Sequence, residues 1–91
     1  MIQINFYTLN GGNLVHILET KETYTIQKFL NKLEYSYDTP FKGKTNHILN
    51  SFHYYFYINQ QEIREYDKNI TIQELFDNKE HNIFVHWKKN K

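Results

Sequence analysis

The chain has no cysteine, which excludes disulfides and thiolate metal sites. It has no alanine, one proline and three glycines, so left-handed turns and fixed bends can arise at few places. Neither charge sign dominates. Eleven Lys and Arg stand against ten Asp and Glu, for a net charge of +1, which gives no broad electrostatic footprint for nucleic acid or an anionic membrane. No apolar run approaches the ~18 residues that suggest a membrane span. The start carries no basic segment followed by an apolar stretch, so a signal peptide is not expected. The expected setting is cytoplasmic or nuclear.

What is present is aromatic. Seven Phe and eight Tyr sit among 91 residues, a length suited to a single domain with a thin core. These rings must carry much of the buried area. Asn, Lys, Ile, Tyr and Phe share AT-rich codons, so part of the aromatic excess reflects coding bias.

Residues 2–8 alternate, with Ile2, Ile4 and Phe6 on one face and Gln3, Asn5 and Tyr7 on the other, which predicts a half-buried strand. Asn10-Gly11-Gly12 supplies a hairpin turn. The return strand over 13–19 has blurred alternation, and Val15 and Ile17 are expected inward. Thr25 is a good helix cap. Behind it Ile26, Phe29, Leu30 and Leu33 fall at i, i+3, i+4 and i+7, one apolar stripe on a helix of about three turns. Residues 34–51 form an enlarged loop: Tyr35, Tyr37, Asp38, Pro40 and Gly43 break the helix, and Ile48 and Leu49 are expected to anchor the loop to the body. Lys42, Lys44 and His47 make a local basic cluster there. Phe52, Tyr54, Phe56 and Ile58 alternate with His53, Tyr55 and Tyr57 in a further strand. Asn59-Gln60-Gln61 turns the chain into a short fourth strand holding Ile63. Thr71-Ile72-Gln73-Glu74 matches a capping box and predicts a short helical turn burying Ile72, Leu75 and Phe76. The last strand, 82–87, points Ile83, Val85 and Trp87 in and Phe84 and His86 out, ahead of a solvated lysine-rich tail.

Hairpin, helix, then strands is the order of a β-grasp domain, and here the chain resembles ubiquitin and its relatives. Ile2 to Gly11 looks like the family's opening hairpin, and Thr25-Ile26-Gln27-Lys28-Phe29 its helix start. Tyr57 to Ile63 is similar to its third strand, turn and short fourth strand. Thr71-Ile72-Gln73-Glu74-Leu75 resembles its one-turn helix, and Asn82 to Trp87 its final strand. The resemblance covers nearly all of the chain outside 34–51. It implies an α+β fold: one ubiquitin-like domain over 1–91, with a mixed four- to five-stranded sheet packed on one main helix. The relatives that are conjugated end in diglycine, whereas this chain ends Lys88-Lys89-Asn90-Lys91, so covalent attachment is not expected.

Catalytic and metal chemistry find little footing. His16, His47, His53, His81 and His86 show no ligand spacing, and zinc needs three or four converging ligands. There is no nucleophile elbow and no Ser-His-Asp pattern. Gly11-Gly12 is too short to cradle a phosphate, and Glu62, Glu65 and Asp67 read as a solvated turn. Neither an enzyme nor a cofactor is expected.

The outward sheet face carries the functional expectation. Strand alternation sends Tyr7, Tyr55, Tyr57, Phe84 and His86 outward, and relatives of the family bind partners through that face. By position Leu9, Tyr57 and His86 lie nearest that patch. Contiguous exposed aromatics mark interfaces more often than accidents. The leading reading is a non-conjugated protein-protein interaction module, with Lys42, Lys44 and His47 adding loop contacts to a protein partner. Alternatives are a phage or mobile-element inhibitor of a host enzyme, a subunit of a larger assembly, and a single-stranded nucleic-acid binder, the last disfavoured by the near-neutral charge.

Overall fold

The alternation of Ile2, Ile4 and Phe6 forms strand β1, Ile2–Thr8, with Ile4 and Phe6 fully buried and Ile2 packed at the core's edge. The computed structural model describes residues 1–45, 52–77 and 79–89. Gly11 and Gly12 both adopt positive φ, +116° and +65°, and reverse the chain into β2, Leu14–Thr20. The two strands pair antiparallel, with Ile2 opposite Thr20, Ile4 opposite Leu18 and Phe6 opposite His16.

That register corrects the reading of β2. Directly opposed side chains lie on the same face of an antiparallel pair. Buried Ile4 and Phe6 therefore bring Leu18 and His16 inward. Val15 and Ile17, expected inward, are instead 45% and 47% exposed. A bulge between Phe6 and Tyr7 advances the partner from His16 to Leu14, so period two could not be read through Leu14-Val15.

Helix α1, Ile26–Tyr35, begins where expected: the Thr25 hydroxyl accepts from the Lys28 backbone N–H at 3.2 Å. Ile26, Phe29, Leu30 and Leu33 are its buried stripe. Each fully buried side chain of this kind contributes about 1.5–3 kcal/mol. The helix runs through Glu34 and Tyr35, so the loop starts at Ser36 and not at 34. Its anchor among the described residues is Phe41, which is fully buried against Phe6, Phe56 and Tyr54 with ring centroids 5.0–5.2 Å away. Ile48 and Leu49, expected in that role, lie outside the described residues, as does His47.

Strand β3, Phe52–Ile58, buries Phe56 and Ile58. Ile58 pairs with Gln61 across a two-residue turn in which Asn59 and Gln60 both have positive φ. Strand β4 is only Gln61–Glu62. Ile63, expected in a fourth strand, opens a 3-10 turn, Ile63–Glu65. The cause is local. The Glu62 carboxylate accepts from the Arg64 backbone N–H at 3.3 Å, and the Glu65 carboxylate accepts from the Glu62 N–H at 3.1 Å. That reciprocal cap starts a helix where the strand would have continued.

Helix α2, Ile72–Phe76, follows its capping box. The Thr71 hydroxyl accepts from the Glu74 N–H, and the Glu74 carboxylate accepts from the Thr71 N–H, both at 3.1 Å. Strand β5, Asn82–Lys89, runs parallel to β1 and antiparallel to β3, giving the sheet order β2-β1-β5-β3-β4. The fold is α+β: a five-stranded mixed sheet with one main helix. The core lies on one sheet face, between Ile4, Phe6, Phe56, Ile83 and the stripe of α1. Trp87 corrects a further expectation. It stacks on Tyr54, on the strand positions that alternate with outward Phe84 and His86, but it is 54% exposed.

Candidate functional site

Two neighbouring ladders bring three rings into one row on the sheet face away from α1. Tyr7 of β1 is the parallel partner of Phe84 in β5, and Phe84 is the antiparallel partner of Tyr57 in β3. Since Phe6, Ile83, Val85, Phe56 and Ile58 are buried on the helix side, alternation puts Tyr7, Phe84 and Tyr57 together on the other. The Tyr7 and Phe84 rings are 5.9 Å apart at 31°, a tilted pair within the range favourable for aromatic rings.

Leu9 extends the row beyond the end of β1. Its backbone N–H donates to the Val85 carbonyl at 2.9 Å, so the first hairpin residue is held against β5 while its side chain stays 43% exposed. Leu9, Tyr57, Asn59, Gln60 and Phe84 line a shallow depression of about 550 Å³. Phe84 stands in it 37% exposed, whereas Tyr7, Tyr55 and Tyr57 are half-buried. Tyr55 and His86 are partners two positions along the β3–β5 ladder, on the same face. The Arg64 guanidinium lies 6.0 Å from the Tyr55 ring centre. The five residues phased outward in the sequence, Tyr7, Tyr55, Tyr57, Phe84 and His86, thus share one sheet face, and Leu9 lies at its end.

Beside the rings runs a row of amides. Gln3 donates to Asn5 at 3.4 Å, Asn5 to Asn82 at 3.3 Å, and Asn82 to the Glu80 carboxylate at 3.0 Å. The face is therefore apolar toward Leu9 and Gln60 and polar toward Glu80.

Comparison with protein-family models finds no match for this chain, and comparison with curated proteins finds none.

The basic loop residues lie elsewhere. Lys42 and Lys44 flank Gly43, just after Phe41, in a turn whose Phe41 sits on the helix side of the sheet, opposite the Tyr7–Phe84–Tyr57 row. The Lys42 ammonium is 4.4 Å from the Tyr37 ring centre. The structure does not bring these lysines to the aromatic face, and His47 is outside the described residues.

A second concavity was not anticipated. Val15, Pro40, Phe41, Tyr54, Val85 and Trp87 help line a cleft of about 430 Å³ between the hairpin tip and the 37–45 turn. Tyr54 and Trp87 stack with centroids 6.0 Å apart at 21°. The sequence offered one clue, an inward-phased Trp at the end of a strand longer than its core-facing segment. Among the described residues His16, His81 and His86 do not converge. His16 faces Phe6 and Phe41, His81 packs on Phe76, and His86 is on β5. Among the described residues no group of three or more His, Asp or Glu could hold a metal ion, and no helix is long and apolar enough to cross a membrane.

Proposed function

We propose that this chain is a ubiquitin-like module with a β-grasp fold, which docks a protein partner through its outer sheet face. The single observation that carries this reading is the Tyr7–Phe84–Tyr57 row across three adjacent strands, on the face that α1 leaves uncovered. Rigid amphipathic rings give large contact area for little lost side-chain entropy. The β-grasp reading draws support from the strand order β2-β1-β5-β3-β4, with α1 following the first hairpin.

A second feature supports the same face. Gln60 sits at φ +68° beside Tyr57 and Phe84, where glycine would fit without strain. A strained residue held at the rim of a depression is what a binding site retains at some cost to stability. On this reading the chain acts by binding and not by catalysis.

The test is comparative capture from the source cells. Wild type and a Tyr57→Ser, Phe84→Ser double variant are used as baits, with Lys42→Ser as a control on the opposite side. A protein retained by wild type and by the control, and lost from the double variant while its circular dichroism stays native, supports the proposal. Identical capture by wild type and double variant rejects it. A cross-linked footprint on Tyr7, Leu9, Tyr57 or Phe84 identifies the face directly.

A further inference from the structure

His16 is the titratable side chain whose surroundings the outer-face reading leaves unused. It points from β2 to the helix side, wedged between two rings: Phe6 of β1 at 5.9 Å, and Phe41 of the 37–45 turn at 6.0 Å and nearly perpendicular. Its Nε2 is shut off from solvent with no hydrogen-bond partner among the described residues. A neutral imidazole tolerates such a site when that nitrogen is the unprotonated one. A charged imidazolium does not, because it gains an N–H that must be solvated or paired.

The turn that covers this nitrogen is tied down at its far end, where Thr45 is bonded to Glu34 and Arg64 and the Tyr54 N–H donates to the Lys44 carbonyl at 2.8 Å, and more lightly around Phe41. Phe41 seats its ring in the core, the Thr39 hydroxyl donates to the Leu33 carbonyl at 2.9 Å, and the Gly43 N–H donates to the Glu34 carbonyl at 2.8 Å. Phe41 also touches Tyr54 edge-on at 5.0 Å, and Tyr54 stacks on Trp87. Displacing Phe41 would therefore change the surroundings of the sole tryptophan.

From β1 the contact with the imidazole is uncharged Phe6. From the turn, Asp38 acts on the imidazole and favours its charged form. From α1, Lys32 is engaged on the Glu19 carbonyl at 3.1 Å, and Glu34 is engaged on Thr45. On β2 itself, Glu19 is exposed and alternates with Leu18 and Thr20 on the outer side.

We propose that His16 is a proton-operated latch: the neutral ring keeps Phe41 seated and the 37–45 turn closed on the core, and the charged ring releases that turn. Burial lowers the proton affinity of His16 below the ordinary histidine value of 6.5, partly offset by Asp38. The latch thus opens on the acidic side of neutrality. Its partner is the proton, and it is independent of what binds the outer face.

Three readouts on the intact chain test it between about pH 7.5 and 5.5, above the range of ordinary carboxylates. Imidazole resonances should give His16 a midpoint below 6.5. Protection of the Gly43, Lys44 and Thr45 amides, corrected for intrinsic exchange, should fall by up to about tenfold per pH unit between 6.5 and the native midpoint and level off below it, while that of Ile4 and Phe6 holds. Trp87 fluorescence should change with the same midpoint. His16→Phe should abolish the amide and fluorescence responses. Asp38→Asn, an exposed change that leaves the fold alone, should move the midpoint further down. A His16 midpoint at or above 6.5, turn amides indifferent to pH, a response retained in His16→Phe, or a midpoint that Asp38→Asn fails to lower overturns the latch.

Discussion

The Glu34 carboxylate, at the end of α1, accepts a hydrogen bond from the Thr45 backbone N–H at 2.8 Å and another from the Thr45 hydroxyl. One side chain thereby closes the turn between α1 and the strand that follows. The Arg64 guanidinium grips the same residue from the far side, donating to the Thr45 carbonyl at 2.7 Å, to the Tyr54 carbonyl at 3.3 Å and to Glu62 at 2.9 Å. Helix, turn, β3 and β4 meet at Thr45.

Glu34→Ala removes the acceptor for a part-buried amide and should destabilise the fold by about 1–3 kcal/mol in urea unfolding. Glu34→Gln keeps a carbonyl oxygen and should lose less than half as much. Equal losses would mean that the charge, and not the acceptor, closes the turn.

Phe41→Ala should cost about 3–5 kcal/mol, because it empties a site ringed by Phe6, Tyr54 and Phe56. Phe41→Leu should recover most of that. The Trp87 emission of Phe41→Ala should differ from wild type under native conditions, since Tyr54 loses its edge contact.

Gln60→Gly should stabilise the chain by about 0.5–1 kcal/mol. It relieves a left-handed residue at φ +68° in a turn whose geometry favours glycine, and the added unfolded-state entropy offsets part of the gain. A rise in the thermal midpoint combined with weaker partner capture would identify the strain as a cost of binding. A fall in the midpoint would remove that argument.

Stability should drop as pH falls from 7 toward 5.5, and His16 sets the sign. Its native proton affinity lies below the unfolded value of 6.5, so between the two titrations the unfolded chain holds more protons and is favoured as pH falls. Below the native midpoint this contribution levels off. Thermal melts of wild type should show the loss, and His16→Phe should flatten it.

Elements whose cause is local were legible in the sequence. Thr25 with its four-residue stripe, Thr71 with Glu74, and the alternation of β1, β3 and β5 each depend on neighbours a few positions away. Where the reading of Val15, Ile17 and Trp87 failed, a distant residue decided. Val15 and Ile17 were misassigned because a bulge set by pairing with Tyr7 breaks the period. Ile63 was misassigned because a Glu62–Glu65 cap outcompetes the strand. Trp87 was misassigned because alternation gives the side of a sheet but not how far the helix reaches over it.

The sequence by itself determined the order of the elements, the stripe of α1 and the outward phase of Tyr7, Tyr57 and Phe84, because capping and periodicity are short-range and each segment carries its own. Tertiary structure alone decided that these three rings form one row, that Phe41 fills the core, and that His16 lies beneath it. Those relations depend on which strands pair and in what register, and register comes from closing one apolar face over the whole chain at once.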